Sequence, residues 1–240
     1  MLNTMNQSPP GRMLGGIGTL LGPPQNTQFQ MVVAFIRRLL PKFADSALQD
    51  NIENENALNS RLTRFITNAA DQKNFFADRE SMEDERRGNS PAADIGIYLK
   101  VNPDAGIDPP LITVFEGKRL STKLPKKRHQ EYVIGHEEKG KHVPCGGIER
   151  FKLSIHGRKL NYAGMIGYLQ NETAATWHDK INTWIRELCS QSSEPRWSEK
   201  EQLRPKKNNG PVTEYESVVK RTNDELQMTH LWITLVRPER

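Results

Sequence analysis

Two acidic residues and a lysine stand on neighbouring apolar segments in the middle of the chain. Asp94 opens the segment 94–101, and Glu116 and Lys118 lie in the middle of the segment 111–120. Both segments are typical of β-strands, and a turn-forming run separates them, so the pattern predicts a β-hairpin. Two carboxylates with an ammonium group nearby are suited to holding Mg²⁺ and activating a water molecule next to a phosphate.

The pairing of the predicted hairpin decides whether the two acids meet. A turn centred near Ala105 pairs positions symmetrically about itself, which places Asp94 opposite Glu116. Side chains alternate along a strand, so Glu116 and Lys118 share one face. The sequence therefore predicts that the two carboxylates and the lysine converge at one edge of the hairpin.

A run of basic residues follows directly after this candidate site. It extends from 118 to 128 without one acidic residue, so we expect it to attract a polyanionic substrate. The alternative for such a run is a solvated loop. The candidate nucleic-acid-binding residues in it are Arg119, Lys123, Lys126, Lys127 and Arg128.

Length and composition bound the class of protein. The chain has 240 residues, of which 35% are hydrophobic, and this fits one well-buried core. The formal net charge of +5 does not by itself establish a nucleic-acid partner. Cys145 and Cys189 are too few for a disulfide framework, so a reducing cytoplasm is expected. The apolar stretch 29–40 contains two arginines and is too short to span a bilayer, so no membrane partner is expected.

The order of predicted elements favours an α/β fold. Helical periodicity within 52–70 precedes three strand candidates, of which the first is short and covers 75–77. A helical segment, a strand over 160–169 and an amphipathic helix over 173–188 follow. Helices and strands alternate, so we expect a mixed central sheet flanked by helices. A closing β-hairpin, turned at residues 223–224, completes the chain.

These features resemble the PD-(D/E)xK nuclease superfamily, the fold of many restriction endonucleases. The matching residues are Pro91-Ala-Ala-Asp94 and Glu116-Gly-Lys118, inside an α-β-β-β-α-β order. The proline stands three residues before Asp94 instead of next to it, and Gly117 takes a place where an apolar residue is usual.

The resemblance divides the chain into a nuclease-like core and its attachments. The core covers 51–190, and a C-terminal β-hairpin packs on it. The parts are a flexible N-terminal arm over 1–28, an N-terminal helix over 29–50, the core over 51–190, a linker or long loop over 191–211, and the hairpin over 212–240.

The same resemblance implies a Mg²⁺-dependent endonuclease that hydrolyses phosphodiester bonds, with Mn²⁺ as a substitute ion. By it, Asp94 and Glu116 would bind the metal, and Lys118 would position the attacking water or help to deprotonate it. Glu55 matches an acid that the superfamily often places on its first helix. DNA is the expected substrate, a dimer mate or partner protein would supply target choice, and the family association suggests a prokaryotic defence or mobile-element setting.

Two other functions are compatible with the same residues. One is a non-catalytic binding module that keeps the same fold and basic surface. The other is a ribonuclease effector, because hydrolysis of a phosphodiester in RNA needs the same catalytic groups as in DNA. A surface hairpin with an ordinary pair of Glu116 and Lys118 would give the same pattern without any chemistry.

A segment rich in histidine raises a separate question about zinc. His142 and Cys145 form its best pair, but the second tight pair of a structural zinc site is missing. Surface or hydrogen-bonding histidines are therefore the favoured interpretation. The residues concerned are His129, His136, His142, Cys145 and His156.

Overall fold

The computed structural model describes residues 24–84, 90–191 and 195–236. Most of the predicted N-terminal arm, residues 1–23, therefore lies outside the described residues, as does the end of the predicted C-terminal hairpin, 237–240. Within the described part of the chain, no helix is both long enough and apolar enough to cross a membrane.

Among the described residues, four α-helices flank the sheet. The first begins inside the segment predicted as an arm, so residues 25–28 are helical. Their bounds are α1 Gln25–Gln49, α2 Glu55–Ala69, α3 Gly147–Lys152 and α4 Ala174–Cys189.

The beginning of α2 is set by a local capping interaction. The side chain of Asn54 accepts hydrogen bonds from the backbone amides of Asn56 and Ala57, two donors that the helix itself leaves unpaired. This cap places Glu55 in the first helical turn, at the end of α2 that lies against the candidate site.

Seven strands form one mixed sheet in the order β1-β2-β3-β6-β9-β8-β7. The pairs β3–β6 and β6–β9 are parallel, and the other neighbours are antiparallel. The predicted α/β class with a mixed central sheet is thus confirmed. The strands are β1 Phe75–Met82, β2 Ala92–Leu99, β3 Leu111–Leu120, β6 Tyr162–Leu169, β7 Arg204–Asn209, β8 Val212–Lys220 and β9 Glu225–Thr234, and a separate two-stranded ribbon consists of β4 His136–Glu138 and β5 Lys141–Val143.

Apolar cores lie on both faces of the large sheet. One core joins α1 and α2 to the sheet, and the other joins α3 and α4 to its opposite face. Strand β6 contributes Ile166 and Tyr168 to the first core and Met165 and Leu169 to the second. Burial on both faces explains why this strand is almost continuously apolar in sequence.

The segment predicted as a linker or long loop, 191–211, is partly a strand, and that prediction was wrong for its second half. β7 is an edge strand that pairs antiparallel with β8. Its residues are largely polar because an edge strand is held by backbone hydrogen bonds to one neighbour and needs no apolar alternation. In the same segment, Trp197 and Leu203 are buried in the core next to α4.

Two further predictions are corrected by the sheet. The closing hairpin does more than pack on the core, because β9 pairs with β6 and extends the central sheet. The first strand continues to Met82 instead of ending at Ala77, since its charged residues lie on an edge strand with exposed positions.

The hairpin of β2 and β3 has the register that the turn position predicts. Ile95 pairs with Phe115 and Gly96 with Val114, and an irregularity follows between Ile97 and Tyr98, nearer the turn. The register therefore brings the beginning of β2 next to the second half of β3, where the candidate acids lie.

Candidate functional site

Asp94 and Glu116 meet where the beginning of β2 lies beside the second half of β3. The backbone amide of Gly117 donates a hydrogen bond of 2.9 Å to Asp94 Oδ2, and the carboxyl groups of Asp94 and Glu116 lie close enough for each to shift the pKa of the other. Burial, together with the charge of Glu116, raises the pKa of Asp94 to about 9. In the absence of a cation the two carboxyl groups therefore share one proton.

Glu116 is completely buried and is held by two residues from the α3 region. Arg150 Nη1 lies 2.9 Å from Glu116 Oε1, and His156 Nδ1 lies 2.6 Å from the same oxygen. The His156 ring is close but not aligned for a well-directed hydrogen bond. Burial alone would raise the pKa of Glu116, but the contacts with His156 and Asp94 and the charge of Lys118 hold it below its ordinary value. Glu116 Oε2 has no hydrogen-bond partner among the described residues.

Lys118 connects this pair of acids to helix α2. Its Nζ lies 3.2 Å from Glu55 Oε1, while Glu55 Oε2 accepts a hydrogen bond from the backbone amide of Arg119 at 3.2 Å. Burial would lower the pKa of Lys118, but Glu116, Glu55 and Asp94 together raise it. The ammonium group therefore stays charged, so it can donate hydrogen bonds to a phosphate or a water but cannot act as a base.

Gly117 stands between Glu116 and Lys118 on β3, and helix α2 leaves no room for a side chain at this position. A Cβ atom there would overlap Oδ1 of Asn59 on α2, and that same oxygen accepts a 2.8 Å hydrogen bond from the hydroxyl group of Tyr168. Helix α2 packs this closely on β3 only because position 117 has no side chain. The glycine at this position is therefore explained by packing.

The basic residues predicted to bind nucleic acid fall into two groups. Arg119 Nε donates a 2.7 Å hydrogen bond to Gln170, and Arg128 pairs with Glu131 at 2.7 Å and with Glu55 at 3.4 Å. These two arginines are thus engaged within the fold. The lysines are exposed to solvent: Lys123, Lys126 and Lys127.

A cleft of about 260 Å³ lies beside the candidate site, at the carboxyl ends of β3 and β6. Its walls include Glu53, Arg119, Lys123 and Gln170. In sheets with parallel strands, such crevices at the carboxyl ends of the strands are common positions for ligands.

Sequence reasoning brought Asp94, Glu116, Lys118 and Glu55 together, and the structure places all four in one cluster. It missed Arg150 as a member, and it interpreted His156 as a surface or hydrogen-bonding histidine, with zinc binding as the alternative, and not as a contact of Glu116. No spacing rule connects either residue to Glu116, because their approach depends on how α3 packs against the sheet.

A second group of polar side chains lies in the segment between β3 and α3. Single ligand atoms of Glu131, His136 and Cys145 all lie within 4.8 Å of one another. Burial and the charge of Glu131 raise the pKa of Cys145. The pair of His142 and Cys145, the best zinc candidate in the sequence, is not formed, because His142 Nε2 lies 2.5 Å from Glu149 Oε1 instead.

Comparisons of this chain with protein-family models, with curated proteins and with solved structures find no match. The function is therefore argued from the geometry and chemistry of the site.

Proposed function

We propose that this protein is a Mg²⁺-dependent endonuclease that hydrolyses phosphodiester bonds, with DNA as its substrate. The observation that carries the proposal is the cluster of two adjacent carboxyl groups, Asp94 and Glu116, with the charged Lys118 on the Glu116 face of β3. The order α2, β1 to β3, α3 and β6, with β3 and β6 parallel, supports a restriction-endonuclease-like core.

The carboxyl pair has the properties of a site for a hard divalent cation. Glu116 Oε2 is buried without a partner among the described residues, and Asp94 keeps a proton that a cation would displace. Mg²⁺ and Mn²⁺ accept carboxylate oxygens as ligands. Asp94 and Glu116 would hold the ion, which when bound lowers the pKa of a coordinated water and polarises a phosphoryl oxygen.

The surrounding side chains would orient the reacting groups. The ammonium group of Lys118 can donate hydrogen bonds to the attacking water or to a phosphate oxygen, and its salt bridge to Glu55 holds it in place. Arg150, which contacts Glu116, fixes the orientation of that carboxylate and adds a positive charge where negative charge develops at phosphorus. Because the pKa of Lys118 is raised, its role is positioning and charge stabilisation.

The charge distribution supports a polyanionic substrate. The exposed Lys123, Lys126 and Lys127 follow β3 directly, and Lys123 also lines the cleft next to the site. Counterion release on contact with such residues favours binding to nucleic acid. Three parts of the proposal rest on the resemblance to restriction endonucleases. These are the choice of DNA over RNA, a dimer mate or partner protein that supplies target choice, and a cytoplasmic prokaryotic defence or mobile-element setting.

The proposal is tested by incubating the purified protein with plasmid DNA, and in parallel with single-stranded RNA, in Mg²⁺, Ca²⁺ or EDTA. We expect cleavage of DNA in Mg²⁺, binding without efficient cleavage in Ca²⁺, and no cleavage in EDTA. Asp94→Asn and Glu116→Gln should each abolish cleavage. Asp108→Asn, which changes an exposed carboxylate in the loop of the same hairpin, is the matched control and should cut like the wild type.

Cutting in EDTA, or full activity of either site variant, would refute this site. Binding of DNA without cleavage in any metal would instead indicate a non-catalytic binding module. Cleavage of RNA alone would identify a ribonuclease.

A further inference from the structure

The three side chains between β3 and α3 combine the donor types that zinc prefers. Cys145 offers a sulfur, His136 a ring nitrogen and Glu131 a carboxylate oxygen. Glu131 is buried, whereas the other two are partly exposed, so an ion could enter from solvent. Mg²⁺ prefers oxygen ligands, whereas a mixed sulfur, nitrogen and oxygen set suits Zn²⁺.

The distances are close to those of a tetrahedral centre. Cys145 Sγ lies 3.2 Å from His136 Nδ1. In a tetrahedral zinc site with ordinary bond lengths, a sulfur and a nitrogen ligand lie about 3.6 Å apart. An increase of this distance by a few tenths of an ångström would therefore admit the ion. The three protein ligands would leave a fourth coordination position for water or another donor.

The backbone that carries these ligands is held by hydrogen bonds and close packing. The amide of Gly147 donates to the carbonyl of Glu131 at 2.8 Å, and the amide of Cys145 donates to the carbonyl of Val143 at 2.8 Å. A Cβ at Gly135 would overlap the carbonyl oxygen of Val143, so the two ligand-bearing segments approach closely only with glycine there. The ligand positions are therefore built into the fold of this segment.

Neighbouring groups orient two of the ligands. Arg128 Nε donates hydrogen bonds to both oxygens of Glu131 at 2.7 Å, and its charge offsets part of the negative charge of a carboxylate next to a thiolate. His136 is the first residue of β4, and the pairing of β4 with β5 places it next to Val143. Such outer contacts fix the geometry of metal ligands.

A nucleophilic cysteine is the main competing interpretation of this group. Activation of a thiol by histidine requires electropositive surroundings, because the thiolate is the reactive form. Here a third ligand atom, a carboxylate oxygen of Glu131, lies within 4.8 Å of both the sulfur and the ring nitrogen, an arrangement that suits a metal ion and that a nucleophilic thiol does not need.

We propose that Glu131, His136 and Cys145 bind one Zn²⁺ ion, which ties the β4–β5 ribbon to the beginning of α3. The proposed zinc site shares no ligand with the pair of Asp94 and Glu116, and its existence does not depend on nuclease activity. Its role is structural, since α3 begins at Gly147, close after Cys145, and carries Arg150, the residue that contacts Glu116.

The test is a zinc titration of the full chain after removal of metal with a chelator. Metal analysis should find one zinc per chain in the wild type and in Cys189→Ser, which removes the other partly buried cysteine as a matched control. Cys145→Ser and His136→Ala should each weaken zinc affinity at least about tenfold. Replacement of zinc by Co²⁺ should produce thiolate charge-transfer absorption in the wild type and in Cys189→Ser but not in Cys145→Ser.

Circular dichroism of the metal-free proteins checks that each variant folds like the wild type. Failure of the wild-type chain to bind zinc, or equal affinity in Cys145→Ser, would overturn the proposal without bearing on cleavage. Rapid alkylation of Cys145 by iodoacetamide, at a rate that zinc does not change, would overturn it in favour of a reactive cysteine.

Discussion

Replacement of Asp94 by asparagine should make the metal-free protein more stable while abolishing its proposed activity. Asp94 is partly buried against Glu116, and its pKa is raised from 3.8 to about 9, so the folded protein keeps this carboxyl group protonated at neutral pH. Asparagine has nearly the same shape. Its carbonyl oxygen can accept the hydrogen bond from the Gly117 amide, and its NH₂ group can donate to Glu116 in place of the shared proton.

The size of the effect follows from the pKa difference. The ordinary pKa of 3.8 lies about three units below pH 7, and each unit corresponds to about 1.4 kcal/mol, which gives an upper limit of about 4 kcal/mol. Partial exposure of Asp94 and its coupling to Glu116 reduce this, so we expect Asp94→Asn to gain about 1–3 kcal/mol at pH 7.

The sign of the pH dependence provides an independent check. Because the folded pKa is raised, the contribution of Asp94 to stability is complete below pH 3.8 and is lost as pH rises towards about 9. Over this range the unfolded chain releases a proton that the folded chain retains. The advantage of the Asp94→Asn variant over the wild type should therefore grow with pH.

The assay is urea unfolding followed by circular dichroism in EDTA at pH 5, 7 and 8.5. Asp108→Asn, in the exposed loop of the same hairpin, should show no such gain. A variant that is less stable than the wild type at all three pH values, or a difference that does not change with pH, would show that Asp94 and Glu116 do not share a proton.

Three other outcomes follow from particular residues. Replacement of the exposed Lys123, Lys126 and Lys127 by glutamine should reduce the slope of log K against log salt for DNA binding by up to about 0.9 per lost phosphate contact. An unchanged slope would show that the basic run is a solvated loop that does not contact DNA. Gly117→Ala should lower the free energy of unfolding in urea by about 1–3 kcal/mol, because its Cβ would overlap Asn59 Oδ1. Adding Asn59→Ala in the same chain should recover part of this loss, and additive losses would contradict the contact. Burial lowers the pKa of His230 to about 3, so between pH 6.5 and 3 the unfolded chain binds a proton that the folded chain does not. From pH 7 to 4.5 the free energy of unfolding of the wild type should fall by about 2–3 kcal/mol more than that of His230→Gln. Equal losses in the two proteins would refute the buried, neutral state of His230.

The sequence alone determined the local parts of the candidate site. Period-two alternation and the position of a turn are properties of adjacent residues, so they were enough to predict that Asp94 lies beside Glu116 and that Lys118 shares its face. Helical periodicity likewise placed Glu55 near the beginning of a helix. The α/β class followed from the order of these local patterns.

Only the tertiary structure decided which distant groups complete the site. Glu55 and Lys118 are 63 positions apart, and Arg150 and Glu116 are 34 apart, so their contacts depend on how α2 and α3 pack on the sheet. The same packing brings Arg128 within 3.4 Å of Glu55, 73 positions away, while the neighbouring lysines stay exposed.

The sheet order shows the same limit. β7 was missed because an edge strand held by backbone hydrogen bonds has no apolar alternation to detect. Local patterns depend on the chemistry of neighbouring residues, whereas the order of strands in the sheet depends on which apolar faces the folded chain buries together. The sequence of any one segment therefore does not determine its partner in the sheet.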